Sequence, residues 1–550
     1  MDAPHQTARP TRRALLAGGL ALATAGCTSG APASPPSPTA PSPTAPSPTA
    51  PSPTAPSPTA PSPTAPSPTA PSPTAPSPTT SPTAPAWSSL RVSGGVSLRR
   101  GNGYDDGFDA SRLLYNPRFS PAPQAVAHCR DADDVAACVR FAADQGAGLR
   151  LRNGGHSYGG WSAGEGLVAD LSPMAAVEVD AGARTARTGA GARLIDVYSA
   201  VGSAGFAVGS GSCPTVGISG LTLGGGVGVL ARSFGLTCDQ VVAVDVVTAD
   251  GRARTVGADS DDAADVDLFW ALRGGGAGIA AVTSWTVALR PAPPVAVFYA
   301  RWPLAAGADV LGAWQRWQAD APRELWSTCK LLRNPADGDR VQVSGTWTGS
   351  GEPDLSGLLA DLPAPAARSA RRLPYAAAMA YEAGCSGLDA DACTDRALDA
   401  EHRQPFAATS SMLPQTLPQA GLDAAQAAVQ QITLPTGAVE AGTSFDALGG
   451  AVADVAPDAT AFPWRTALAT VQHTATWTGE GDAAAFDAVV AGTREALRPW
   501  TGGAAYVNYA DPGLPDRAQA CWGPNRARLE QVAAAVDPEG LFASPGGVRA

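Results

Sequence analysis

The chain of 550 residues lacks a basic stripe. Its 38 Lys and Arg are outnumbered by 49 Asp and Glu, and the formal charge is -11. A nucleic-acid partner calls for a clustered positive face, so the balance argues against that class. No Cys-x-x-Cys pair and no His/Cys cluster has metal-ligand spacing, so no metal is expected. No Gly-x-Gly-x-x-Gly opens an early βαβ unit, which argues against a nicotinamide-binding Rossmann domain. The apolar run near the N-terminus is shorter than the roughly 20 residues that span a bilayer. What remains reads as a globular chain, 44% hydrophobic and long enough for two or three domains with a large core.

Arg12 and Arg13 precede that short apolar run, which ends at Ala25-Gly26-Cys27. The pattern resembles a Tat export signal followed by a lipoprotein cleavage box. It predicts a protein exported to the cell surface or medium, touching the membrane through a lipid on Cys27. The alternative is an ordinary cleaved signal. Residues 28–86 carry repeats of Pro-Ser-Pro-Thr-Ala. Such a tract buries no core and favours extended polyproline II, so it reads as a linker or spacer.

Ordered structure is expected from about Asp109, because residues 87–110 are polar and rich in glycine. Helical periodicity begins at Asp131 with acidic residues in its first turn. Strands are expected at Leu149–Arg152, 166–171, 241–247 and 282–289, with a short helix from Asp267. Pro291, Pro293 and Pro294 suggest a boundary. Ala-rich helices then alternate with strands, such as 342–347 and 470–477. From Ala504 the pattern predicts a strand, an acidic loop and a helix ending near Val536. The fold class is α+β.

Two glycine-rich segments carry the chemistry. The first is Arg152-Asn153-Gly154-Gly155-His156-Ser157-Tyr158, directly after a strand. The second runs from Cys213 through Gly217 and Gly220 to Gly224-Gly225-Gly226-Val227-Gly228. Each sets one nucleophile in a turn rich in backbone N–H groups, which can cradle phosphates and approach a ligand closely. The pair points to a flavin held by two covalent links. In isolation, His156 would read as a loop histidine bonded to its own turn. Cys213 would read as a small buried hydrophobe or half of a disulfide. With Cys27 and Cys213 assigned, seven of the nine cysteines remain, and Cys385 with Cys393 form the expected disulfide pair.

Further motifs carry a family resemblance. They are Tyr115-Asn-Pro-Arg-Phe, Leu268-Phe-Trp-Ala-Leu-Arg-Gly-Gly-Gly, Phe462-Pro-Trp-Arg, Tyr506-Val-Asn508-Tyr509, Trp522-Gly-Pro-Asn525-Arg and Asp537-Pro-Glu-Gly-Leu-Phe. From about residue 110 to 548 the chain resembles the berberine bridge enzyme-like oxidases of the vanillyl-alcohol-oxidase type. Two departures are Trp464 in place of a histidine and Gly276-Ala-Gly in place of an Asn-Phe-Gly run.

The resemblance implies FAD bonded by His156 at its 8α-methyl and by Cys213 at C6. It also implies a two-part PCMH-type FAD-binding domain (87–290, completed by 504–550) with an inserted antiparallel-sheet-plus-helices substrate domain (291–503). Tyr509 is then the candidate base, with Tyr506 beside it. A phenol's ordinary pKa is near 10, so a nearby cation or donor is expected to lower that of Tyr509. A strand there would turn Tyr506 and Asn508 to one face and Tyr509 to the other. Asp446 and Asp454, near the Gly449-Gly450 turn in a region that supplies active-site side chains in relatives, read as solvated carboxylates rather than partners to the base. Val216 falls where relatives admit oxygen to the flavin edge, and a small side chain there goes with oxidase behaviour.

The implied activity is hydride removal from an alcohol carbon of a sugar, oligosaccharide or small metabolite. Molecular oxygen is the expected acceptor, giving hydrogen peroxide. The alternatives are a dehydrogenase with another acceptor, or a surface protein that keeps the fold without turnover.

Overall fold

The structure is a computed structural model, and it describes residues 85–399 and 402–549. The twin-arginine segment, Cys27 and the Pro-Ser-Pro-Thr-Ala repeats lie outside the described residues.

Order begins earlier than Asp109. A short 3-10 helix spans Trp87–Ser89, and the strand Val96–Arg100 joins a five-stranded sheet. That polar, glycine-rich stretch is half-exposed edge strand and turn, which an apolar count overlooks. The sheet runs Gly103–Tyr104, Val96–Arg100, Ala125–His128, Leu167–Asp170, Leu149–Arg152. Its last three strands are parallel. The crossover helix is Ala132–Gln145. Asp131 caps it by accepting from the Asp134 N–H at 2.9 Å, and Gly146 ends it at φ 61°.

A second five-stranded sheet is antiparallel, in the order Ala253–Gly257, Val241–Val247, Ala281–Ala288, Thr185–Gly189, Val177–Asp180. The third sheet has seven antiparallel strands. Their order is Ala367–Leu373, Val295–Pro303, Arg340–Trp347, Leu325–Arg333, Ala438–Ala447, Ala469–Trp477, Phe406–Leu413.

In the third sheet the period of two sorts side chains onto two faces. Ser327, Cys329 and Leu331 share one face, where the Trp314 indole of helix Gly307–Ala319 donates to Ser327 Oγ at 2.8 Å and packs against Phe445. Trp326, Thr328 and Lys330 alternate to the other face, which floors a cavity. Cys385 and Cys393 form a disulfide.

The C-terminal stretch differs from expectation at its start. Tyr506–Tyr509 is a turn, closed by the Tyr509 N–H donating to the Tyr506 carbonyl at 3.0 Å. Turns use the same residue types as a short strand here, and no ladder partner is offered. The helices Arg517–Trp522 and Arg526–Val536 follow.

Candidate active site

The cavity is walled on one side by the two glycine-rich segments and on the other by the seven-stranded sheet. The two segments touch through their backbones. A Cβ on Gly154 would stand 2.3 Å from the Gly217 nitrogen, and one on Gly217 would stand 2.5 Å from the Gly154 nitrogen. Real carbon atoms do not approach so closely, so neither position admits a side chain without the loops moving apart. This contact brings His156 and Cys213 to one wall. His156 Nε2 lies 2.8 Å from Thr215 Oγ1, and its ring stacks on Tyr115 with centroids 4.0 Å apart. Burial lowers the His156 pKa to about 3, so the imidazole is neutral and keeps a nucleophilic ring nitrogen.

The predicted cofactor residues divide into two groups. Asn153, Gly154, Gly155, His156, Ser157, Tyr158, Cys213, Gly217, Gly220, Gly228 and Asn508 line the cavity. Arg152, Gly224, Gly225, Gly226 and Asn525 stand behind the wall. Arg152 pairs with Asp170 at 3.0 Å, and Asn525 donates to the carbonyls of Pro457 and Thr460. At Gly224 the missing side chain makes room for Asn508, whose Oδ1 lies 2.1 Å from the Cβ position. Asn508 in turn donates to the Leu221 carbonyl at 2.9 Å. The triple glycine thus seats the C-terminal turn against the second loop.

Tyr506 and Tyr509 occupy different environments. The Tyr506 hydroxyl accepts from the backbone N–H groups of Gly226 and Val227 at 3.1 and 3.0 Å, which fixes it in the wall. The Tyr509 hydroxyl donates to Asp446 Oδ2 at 3.2 Å. Tyr509 stacks on Tyr158, and the Tyr158 hydroxyl accepts from Gln472 Nε2 at 3.0 Å.

Two expectations are corrected here. Asp446 is not solvated: it is 5% exposed and sits in register between Thr328 and Thr470. Burial raises its pKa, and Lys330 opposes that rise. Nor is the Tyr509 pKa lowered. Burial and the Asp446 carboxylate push it well above its ordinary value. The proton acceptor of the pair is therefore the carboxylate, with the phenol as its donor. Asp454 is exposed as expected and pairs with Arg323 at 3.0 Å.

Sequence reasoning missed most of the floor. Trp326, Thr328, Lys330, Ser344 and Glu382 line the cavity. Trp326 Nε1 is buried without a hydrogen-bond partner, and a buried polar atom of this kind calls for a ligand; Thr328 faces Asp446 and serves its carboxylate. One signal was available. Lys330 is the single lysine of the chain, set in an otherwise uncharged strand segment.

Residues 123–257 match the FAD binding domain family, and residues 505–549 match the family described as berberine and berberine like. The chain is an FAD-linked oxidoreductase that resembles the berberine bridge enzyme-like proteins. It is 29% identical over 443 residues to YgaK of Bacillus subtilis, described as an uncharacterized FAD-linked oxidoreductase; the match covers 80% of this chain and 94% of YgaK. Among solved structures it is similar to BBE-like 1 of Physcomitrella patens, with 27% identity and a TM-score of 0.73, covering 82% and 96% of the two chains. It is also similar to a xylooligosaccharide oxidase of Myceliophthora thermophila C1 in complex with xylobiose. That match has 25% identity and a TM-score of 0.71, covering 82% and 97% of the two chains.

The wall of this chain fits FAD. Gly220 opens onto the cavity with nothing within 4 Å of its Cβ position. His156 offers its neutral ring nitrogen to this space, whereas the Cys213 sulfur is half of a disulfide in this structure and not the free thiol expected from the sequence. Backbone N–H groups of both loops are at hand for a diphosphate. Among the described residues no group of His, Cys, Asp and Glu is placed to hold a metal ion. No helix among them is long and apolar enough to cross a membrane.

Proposed function

We propose that the protein is an exported oxidase that oxidises an alcohol carbon of a sugar, oligosaccharide or small metabolite and reduces oxygen to hydrogen peroxide. FAD is bonded through His156 and Cys213 in this reading. The unit 87–290 plus 504–550 binds it, and 291–503 shapes the substrate pocket. The observation that carries the proposal is the Tyr509–Asp446 hydrogen bond, buried in the cavity opposite both candidate flavin-bonding residues.

When bound, FAD supplies the two-electron acceptor for the hydride and delivers the electrons to oxygen. The protein manages the proton. The substrate hydroxyl donates to Tyr509 Oη as the tyrosine's own proton moves to Asp446 Oδ2. Tyr506, held by two backbone N–H groups, keeps the turn in place. Trp326 Nε1 is ready to bond a further substrate hydroxyl, which favours a polyhydroxylated substrate. Val216 lines the cavity three residues after Cys213 and leaves space for oxygen. The export signal and the lipid on Cys27 complete the reading. A covalent link keeps the cofactor with a protein that leaves the cytoplasm.

The test combines colour and turnover. Protein precipitated in acid should stay yellow, and oligosaccharides should release peroxide from the native enzyme. Val216→Leu should slow reoxidation by oxygen and leave reduction by substrate intact. FAD free in the acid supernatant would remove the covalent links. A panel of sugars and alcohols that never bleaches the flavin under nitrogen would remove the substrate class.

A further inference from the structure

The chain has one lysine, and it lies in the active-site floor. In the register of strands Leu325–Arg333 and Ala438–Ala447, Thr328 faces Asp446 and Lys330 faces Ser444. Lys330 and Asp446 therefore share the cavity face as diagonal neighbours, about 7–8 Å apart at the backbone and within reach of a long side chain. Glu382, the last residue of helix Tyr375–Glu382, lines the same cavity. Lys330, Glu382 and Asp446 are 5%, 7% and 5% exposed. Buried charges need matching, and here one ammonium meets two carboxylates.

The other charged groups nearby are engaged elsewhere. Arg340 and Glu440, on the two strands flanking that of Lys330, pair with each other at 2.7 Å. Arg150 lines the opposite wall and donates to the carbonyls of Leu149 and Ala543. His156 is neutral, and the phenols of Tyr158 and Tyr509 are held protonated by burial. Burial pulls the Lys330 pKa down while Asp446, Glu440 and Glu382 hold it up. Burial raises that of Glu382 to about 7, with Lys330 opposing.

We propose that Lys330 is a positioning residue whose single positive charge is divided between Asp446 and Glu382, and that the share reaching Asp446 keeps that carboxylate ionised to accept from Tyr509. When Glu382 takes up a proton, Lys330 turns wholly to Asp446. Glu382 thus tunes the strength of the acceptor without touching the reacting atoms. The inference rests on the Tyr509–Asp446 reading above.

The first test needs no substrate. Growth on lysine labelled with carbon-13 at Cε gives one resonance, because there is one lysine. In the holoenzyme its titration midpoint should fall by about one pH unit or more in Asp446→Asn and in Glu382→Gln, the size expected for an opposite charge within a few ångströms. Equal midpoints in wild type and both variants overturn the proposal. So does a resonance that stays at the charged position to pH 10 in all three.

The second test reads the pH profile of anaerobic flavin reduction. The acid limb should move up by about one unit in Lys330→Met, move down in Glu382→Gln, and return in Lys330→Arg. A Lys330→Met profile that superimposes on wild type sinks the positioning role. If no alcohol reduces the wild-type flavin, the functional reading fails, and the lysine resonance still decides the charge sharing.

Discussion

The two walls of the cavity are built by different rules. The loop wall is backbone against backbone. Gly154 meets Gly217, and Gly224 admits Asn508, so sequence there is dictated by absent side chains. The sheet floor is side chain against side chain. Its residues Trp326, Thr328, Lys330 and Asp446 come from two antiparallel strands more than a hundred positions apart in the chain. A wall built from backbone contact tolerates little change and holds a cofactor common to many relatives. A floor built from alternating side chains can change one residue at a time, which suits substrate choice.

Variants can break this comparison, and the largest effect belongs to the loop wall. Gly154→Ala places a carbon where the Gly217 nitrogen stands. The loops must separate, and protein-bound flavin after acid precipitation should fall close to zero. Full covalent loading of that variant would show that the loops are not interlocked.

The floor answers to pH instead. Burial raises the Glu382 pKa from its ordinary 4.5 to about 7. The folded state therefore binds this proton more tightly than the unfolded chain. The stability it contributes is full below about pH 4.5 and lost as pH rises through about 7. Relative to wild type, Glu382→Gln should gain about 3 kcal/mol between those pH values. Denaturant unfolding at both pH values measures it, and a constant gap would contradict the assignment.

A smaller effect sharpens the contrast. Trp326→Phe keeps an aromatic ring in the floor and removes a buried N–H that has no partner. The apparent KM should rise about fivefold, near 1 kcal/mol, while the melting temperature holds or rises slightly. A fall in melting temperature with unchanged KM would make Trp326 structural.

What could be read in the sequence follows the same division. His156, Cys213 and the glycines announce themselves because their motifs are contiguous and their turns need glycine. The helix at 132–145 was legible from the acidic residues at its start and its 3.6-residue period. The floor was not, because its chemistry depends on strand register. Asp446 looked solvated beside Gly449-Gly450, and only the pairing with Thr328 and Thr470 buries it. The Tyr506–Tyr509 turn was hidden for a related reason: its partners are the loop at 224–228 and Asp446, both remote in sequence.

The central claim is that Asp446 receives the substrate proton through Tyr509, while the loop wall only holds the flavin. Anaerobic stopped-flow reduction of Asp446→Asn beside Tyr509→Phe tests it most directly. Both proteins should stay yellow after acid precipitation and reoxidise at the wild-type rate. Flavin reduction should slow by about 10²- to 10⁴-fold in each, and the double variant should be no slower than the worse of the two. Reduction of Asp446→Asn at the wild-type rate would contradict the account.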